Sequence, residues 1–114
     1  MLFRSIDYFQ REIRELIDRT VADFQLDVTE SQTPLDLIDG FIGEGYAIPY
    51  PAAVEATKLL ARTEGILLDP TYTSKAMTGM LGAIRGGGVR DGATPLLVHT
   101  GGAFGLFARR DLFS

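Results

Sequence analysis

Two short polar clusters have the residue types and spacing to do chemistry: Tyr72-Thr73-Ser74 and His99-Thr100-Gly101-Gly102. Each follows an apolar run and precedes a stretch with helical spacing. A helix N-terminus exposes unpaired amides and the positive end of a dipole, so either junction could hold an anion or a polar ring. In open α/β sheets, ligands bind where the carboxyl end of a strand feeds a helix. Gly101-Gly102 would let backbone approach such a ligand closely. Blander readings stand beside these. A strand followed by two glycines is a common tight turn, and His99 after an apolar run reads first as a structural histidine. Met77 and Met80 read as core.

The elements that must position these clusters follow from periodicity. Residues 2 to about 24 form the clearest helix, with Leu2, Ile6, Phe9, Ile13, Leu16, Ile17, Val21 and Phe24 on one face, which predicts an amphipathic helix packed on a core. Leu26 and Val28 alternate with polar neighbours like a short strand. Thr33-Pro34 and Asp39-Gly40 punctuate the chain. The stretch from Gly43 to Pro51 has two glycines and two prolines in nine residues, which predicts a shaped loop. Loops of that kind inside compact domains are often functional.

Pro51 suits the first turn of a helix that buries Val54, Leu59, Ala61 and the stem of Lys58. Gly65 ends it in a left-handed conformation. Ile66-Leu67-Leu68 reads as a brief strand and Asp69-Pro70 as a turn. Thr73 or Ser74 can cap the next helix, which carries Met77, Met80, Leu81 and Ile84 on one face until Gly86-Gly87-Gly88 stops it. The run Pro95-Leu96-Leu97-Val98-His99 has the pattern of a parallel strand buried on both faces. A short helix from Ala103 to about Arg109 closes the chain. This alternation predicts an α/β fold with a short parallel sheet flanked by helices, in a single domain spanning residues 1–114.

Composition narrows the functional classes. A chain of 114 residues can bury about two thirds of its unfolded surface. The net charge of -4, with nine arginines and two lysines scattered along the chain, argues against a nucleic-acid partner. The absence of cysteine excludes thiolate nucleophiles and Cys-ligated metals. A single histidine leaves no His-rich metal site, so no metal is expected. Met1 to Gln10 carries Arg4 and Asp7 without a long apolar core, and no run is long enough to span a membrane. The expectation is a cytoplasmic protein with no membrane contact. No Gly-x-Gly-x-x-Gly or P-loop pattern appears, which disfavours a nucleotide binder.

The stretch Glu64-Gly65-Ile66-Leu67-Leu68-Asp69-Pro70-Thr71-Tyr72-Thr73-Ser74-Lys75-Ala76-Met77 resembles the D-cysteine desulfhydrase and 1-aminocyclopropane-1-carboxylate deaminase family. These are pyridoxal-phosphate enzymes with the tryptophan-synthase-β-like fold, also called fold type II. Gly45-Tyr46-Ala47-Ile48-Pro49 resembles the family's Gly-Tyr-Gly-x-Pro loop, and His99-Thr100-Gly101-Gly102 its closing His-Thr-Gly-Gly segment. The three occur in the family's order and spacing. The resemblance implies that the chain forms the C-terminal part of the cofactor-binding large domain and supplies the pyridine-ring side of the pocket. Tyr72 matches the tyrosine beside the ring, implicated in proton transfer or nucleophilic attack, and Tyr46 a second active-site tyrosine. Thr100, with Gly101 beside it, and Thr73 match positions facing the pyridine nitrogen.

The deaminase branch places a carboxylate at the position of Thr73 and a leucine at that of Thr100. A carboxylate ~3 Å from the ring nitrogen at an effective dielectric of ~20 contributes roughly 5 kcal/mol toward its protonated form. A threonine adds no such charge, so the electron sink is weaker. That suits loss of a thiolate from D-cysteine, releasing sulfide and ammonia, better than opening a cyclopropane.

Departures from the family pattern are Ala47 for the second loop glycine and Ser74 for the glycine before Lys75. Only the last third of a family member is matched. The lysine that forms the Schiff base is absent: Lys58 lies mid-helix, and Lys75 matches a different family lysine. Alone, the chain is therefore expected to be inactive, with a complementing N-terminal chain or a homodimer as partner and a small amino acid as substrate of the complete enzyme. The alternative is a non-catalytic module of the same fold that binds a small anion or a partner chain.

Overall fold

The computed structural model describes residues 5–29 and 34–113. Leu2, at the expected start of the first helix, and Thr33 of the Thr33-Pro34 break lie outside them. Contacts gather the chain into two compact units, residues 1–38 and 39–114.

The first unit contains α1, Ile6–Phe24. Ser5 caps it by accepting a hydrogen bond from the Tyr8 amide at 3.2 Å. Gln25, in the left-handed conformation at φ 52°, closes it with its amide on the Ala22 carbonyl, while the Leu26 amide reaches Val21 at 3.0 Å. The helix ends at Phe24 as its pattern predicts but begins at Ile6, after the Ser5 cap, rather than near residue 2, and no residue of α1 is buried. Within its own unit the expected burial of its apolar stripe is not seen, and Leu16 and Phe24 are exposed. Leu26 and Val28 form no strand.

The second unit is built on α2, Pro51–Thr63, and α3, Thr73–Arg85, which pack against each other. Pro51 occupies the first turn of α2, where its missing N–H is not needed. Gly65, at φ +68°, turns the chain out of the helix. The face that α2 buries is Ala53, Ala56, Thr57 and Leu60, one residue round from the expected Val54, Lys58, Leu59 and Ala61. Ala56, Leu60, Leu68 and Met77 form the core, with Met80, Leu81 and Leu97 packed on it. Ile84 is exposed instead.

No β-strand is formed among the described residues, so the expected parallel sheet is not seen among them. Residues 66–68 and 95–99 run irregularly. A side-chain bond joins them, His99 Nε2 to the Leu67 carbonyl at 2.9 Å. Sheet formation needs a row of neighbouring amides and carbonyls, and neither segment finds one here. Leu97 alone of its run turns inward; Leu96 is 87% exposed and Val98 also faces out. The final helix shrinks to α4, Phe104–Phe107, followed by a 3-10 turn at Arg110–Leu112.

Two glycines inside α3 have a packing reason. The Phe41 ring lies over Gly79 and Gly82, and a Cβ at Gly82 would meet Phe41 Cζ at 2.7 Å. Alanine there gains about 1 kcal/mol of helix propensity but must displace the ring. Gly82→Ala is expected to lower the thermal unfolding midpoint, whereas the same change in a Phe41→Ala background raises it.

Candidate functional site

The turn before α3 is built around one buried carboxylate. Asp69 Oδ2 accepts from the amides of Thr71 and Tyr72, both at 2.8 Å. Its Oδ1 accepts from the Thr73 amide and the Thr73 hydroxyl, both at 2.7 Å. The Thr73 hydroxyl in turn accepts from the Asp69 amide at 2.7 Å. Burial by itself would raise the carboxyl's pKa, but the hydrogen bonds from Thr73, Tyr72 and Thr71 outweigh it and hold the group below its ordinary range. Asp69 therefore supplies the cap of α3, four residues upstream of the helix. Neither Thr73 nor Ser74 is the N-cap residue. Ser74 Oγ is the buried side-chain oxygen left without a partner among the described residues.

This turn presents Tyr72 outward, where it meets Tyr46. The Tyr72 hydroxyl donates to the Tyr46 hydroxyl at 3.1 Å. The rings meet edge to face with centroids 5.8 Å apart. Both stay open to solvent, at 54% and 61% for Tyr46 and Tyr72. The bond to Tyr46, with smaller contributions from desolvation and from the Tyr46 and Asp69 charges, pushes the Tyr72 phenol above its usual pKa. Tyr72 thus keeps its proton at neutral pH. In a pair of phenols one proton lies between the oxygens, and the other is free to point at a third group.

The loop that carries Tyr46 is held from below. Lys75, only 9% exposed, donates from Nζ to the carbonyls of Ile42 at 2.6 Å and Gly45 at 2.9 Å. Tyr50 donates to the Phe41 carbonyl at 2.8 Å, and its ring lies against Gly43, where a Cβ would meet Cδ1 at 2.6 Å. The glycine and aromatic residues of this loop serve its shape, as their composition predicts.

The second cluster stands on the first. A Cβ at Gly102 would lie 2.9 Å from Asp69 Cβ, so this corner packs directly on the carboxylate-bearing residue. Gly101 and Gly102 both have the left-handed φ that favours glycine, +94° and +89°. His99 Nδ1 accepts from the Gly101 amide at 3.0 Å. With Nε2 at the Leu67 carbonyl, both ring nitrogens are satisfied by the tautomer protonated on Nε2. This is the structural histidine that its position suggested.

The structure thus brings Tyr46 and Tyr72 into contact and sets the Thr100-Gly101-Gly102 corner beside the same turn. Thr100 is exposed, and open space surrounds Gly101. Thr73 points its hydroxyl into Asp69 rather than outward. Asp69 and Lys75 are the two organising residues that sequence reasoning passed over. An Asp two to four residues before a row of helix-starting amides is a capping signal, and a lysine among Ser74, Met77 and Gly79 on a buried face signals an internal partner. A groove of about 450 Å³ between α2 and α3, bordered by Phe41, Glu55, Leu59 and Arg85, lies toward the other end of α3 and does not include the tyrosines.

With this geometry in hand, comparison with known proteins defines the class. Residues 2–101 match the family described as pyridoxal-phosphate dependent enzymes, and the chain belongs to that family. It is also 40% identical over 106 residues to a Thermotoga maritima protein assigned as a 1-aminocyclopropane-1-carboxylate deaminase. The match covers 93% of this chain and 32% of that relative, so the chain spans about a third of the relative's length. Together they support the deaminase and D-cysteine desulfhydrase branch. No helix among the described residues is long and apolar enough to cross a membrane.

Asp69→Asn tests the turn. An amide side chain must set its NH2 against one pair of donors whichever way it flips, at about 1–3 kcal/mol per unsatisfied donor. Because the folded carboxyl titrates below its unfolded value, its stabilisation is complete above the unfolded pKa of about 3.9 and is lost as pH falls through the folded pKa. Denaturant unfolding across pH should show Asp69→Asn less stable at pH 7 and missing that acid-side loss. Tyr46→Phe should lower the Tyr72 titration midpoint toward the ordinary tyrosine value of about 10, read by ultraviolet absorbance.

Proposed function

We propose that this chain forms the pyridine-ring side of the pocket in a pyridoxal-phosphate-dependent lyase that acts on a small amino acid, with D-cysteine as the substrate and sulfide and ammonia as products. The observation that carries this reading is the Tyr46–Tyr72 hydroxyl pair, exposed and 3.1 Å apart, in the family's own sequence setting. The exposed phenols, the exposed Thr100 and the open space at Gly101 leave room for a planar ring. Tyr72 and Tyr46 would line one edge of it, and Thr100 with Gly101 would lie toward its nitrogen. Thr73 supports this wall through Asp69.

When bound, the cofactor's ring draws electrons away from the substrate's α-carbon and so weakens the bonds around it. The chain's own contribution is proton management. Tyr72, kept protonated, holds a proton at its hydroxyl, and Tyr46 extends the donor path by one oxygen. Thr100 offers a hydroxyl that carries no charge, which leaves the ring a weaker electron sink than a carboxylate would and favours departure of thiolate.

The same reading holds that this chain is catalytically incomplete. Its two lysines are both engaged: Lys75 on loop carbonyls and Lys58 beside Glu55 at 3.5 Å. Neither presents a free amine to the tyrosines. The exposed Leu96, Val98, Phe104 and Phe107 form apolar surface suited to covering by a complementing N-terminal segment or a second copy, and residues 66–68 and 95–99 would then find sheet neighbours. In the alternative, an anion-binding module, the α3 N-terminus is the natural site. Asp69 already fills it, which favours the pocket over that alternative.

Borohydride reduction of the chain with pyridoxal phosphate should leave neither Lys58 nor Lys75 stoichiometrically labelled; full labelling of Lys75 would overturn the assignment. In a polypeptide carrying the remaining two thirds of the family's length, Tyr72→Phe is expected to lower kcat for sulfide release by about 10²–10⁴, measured from D-cysteine.

A further inference from the structure

Lys75 is a buried ammonium that bonds to no carboxylate among the described residues. Two of its three donors lie on the Ile42 and Gly45 carbonyls, and the Tyr50 ring centroid is 6.0 Å from Nζ. Burying a cation without a counter-charge is costly, and the burial of its stem could have been served by methionine. Its two acceptors instead bracket the loop that ends at Tyr46. Gly45, one of them, is the residue directly before Tyr46 and is itself buried. Lys75 also sits three residues after Tyr72 on the first turn of α3. One side chain thereby connects the segments that carry the two phenols.

We propose that Lys75 is a positioning residue: by holding the Ile42 and Gly45 carbonyls it sets Tyr46 within hydrogen-bond distance of Tyr72. The role rests on the reading of the two tyrosines as one wall of the pocket. Without the ammonium, the Ile42 carbonyl and the buried Gly45 carbonyl lose their donor and turn toward water, and the loop leaves α3 with Tyr46 on it. Asp69 orients Tyr72 from one side of the pair while Lys75 orients Tyr46 from the other. The same bonds occupy the amine, so Lys75 is unavailable for covalent attachment to a carbonyl compound.

The test uses this chain with 13C-labelled tyrosine, so that Tyr8, Tyr46, Tyr50 and Tyr72 titrate as separate NMR signals. The Tyr72 hydroxyl faces Tyr46, and the Asp69 charge acts on it from the turn below. In Lys75→Met, with helical circular dichroism unchanged, the Tyr72 midpoint should drop to the value found in Tyr46→Phe. The double variant should drop no further. A Tyr72 midpoint equal to wild type, or additive drops, overturns the proposal. If Lys75→Met does not fold, the unmutated chain decides through its lysine signals. Hydrogen-bond couplings from Lys75 Nζ to the Ile42 and Gly45 carbonyl carbons support the proposal. Exchange of its ammonium protons with water as fast as those of Lys58 overturns it. These readouts involve no cofactor, so the lyase reading can fail on sulfide release while Lys75 passes, and the reverse.

Discussion

The second unit depends on one requirement: the amides that open α3 and the Asp69 carboxylate must satisfy one another away from water. A buried carboxylate without donors would be strongly disfavoured, and so would buried amides without acceptors. Bringing them together fixes the backbone from residue 69 to 73 and neutralises the positive end of the helix dipole. It also gives the Gly102 corner a surface to pack on, since only a residue without Cβ fits against Asp69. Tyr72 emerges from this turn with its backbone already constrained, so its hydroxyl meets Tyr46 at little further entropic cost.

The core beneath this site is small. Leu68 and Met77 anchor it with Ala56 and Leu60, while many of the chain's large apolar side chains remain in solvent, Leu96 and Phe104 most of all at 87% and 86%. That imbalance agrees with a chain that spans about a third of its relative's length. Local order survives because the two helices need only each other and the turn needs only its own carboxylate. Sheet order does not form, because a strand's hydrogen bonds must come from a neighbour. The site therefore rests on polar contacts between residues of the turn, the loop and the glycine corner more than on hydrophobic mass.

Elements whose determinants are local were legible in the sequence. Pro51, Gly65 and the Gly86-Gly87-Gly88 run mark helix ends by the conformations they permit, and α2 and α3 start or stop where those residues stand, whereas the start of α1 at Ser5 was not read from the sequence. The irregular loop from Gly43 to Pro51 followed from its prolines and glycines. The candidate site was legible as a set of residues, because Tyr46, Tyr72 and the His99-Thr100-Gly101-Gly102 segment keep the family's order. The buried face of α2 was not, since apolar size suggested Val54 and Leu59 while the helix turns Ala53, Ala56, Thr57 and Leu60 inward. The two strands were misjudged for a related reason: an apolar run records a tendency to be covered and does not say whether the cover is at hand.

By itself, then, the sequence determined that α1, α2 and α3 form and where α2 starts and stops, the shape-prone loop and the family to which the polar clusters belong. Each of these depends on residue type and short-range spacing. Only the tertiary structure decided that Asp69 caps α3, that Lys75 grips a loop some thirty residues earlier in the chain, and that the Tyr46 and Tyr72 hydroxyls touch. Those outcomes need groups far apart in sequence to be desolvated together, and the strength of a buried hydrogen bond depends on the partner that the fold delivers.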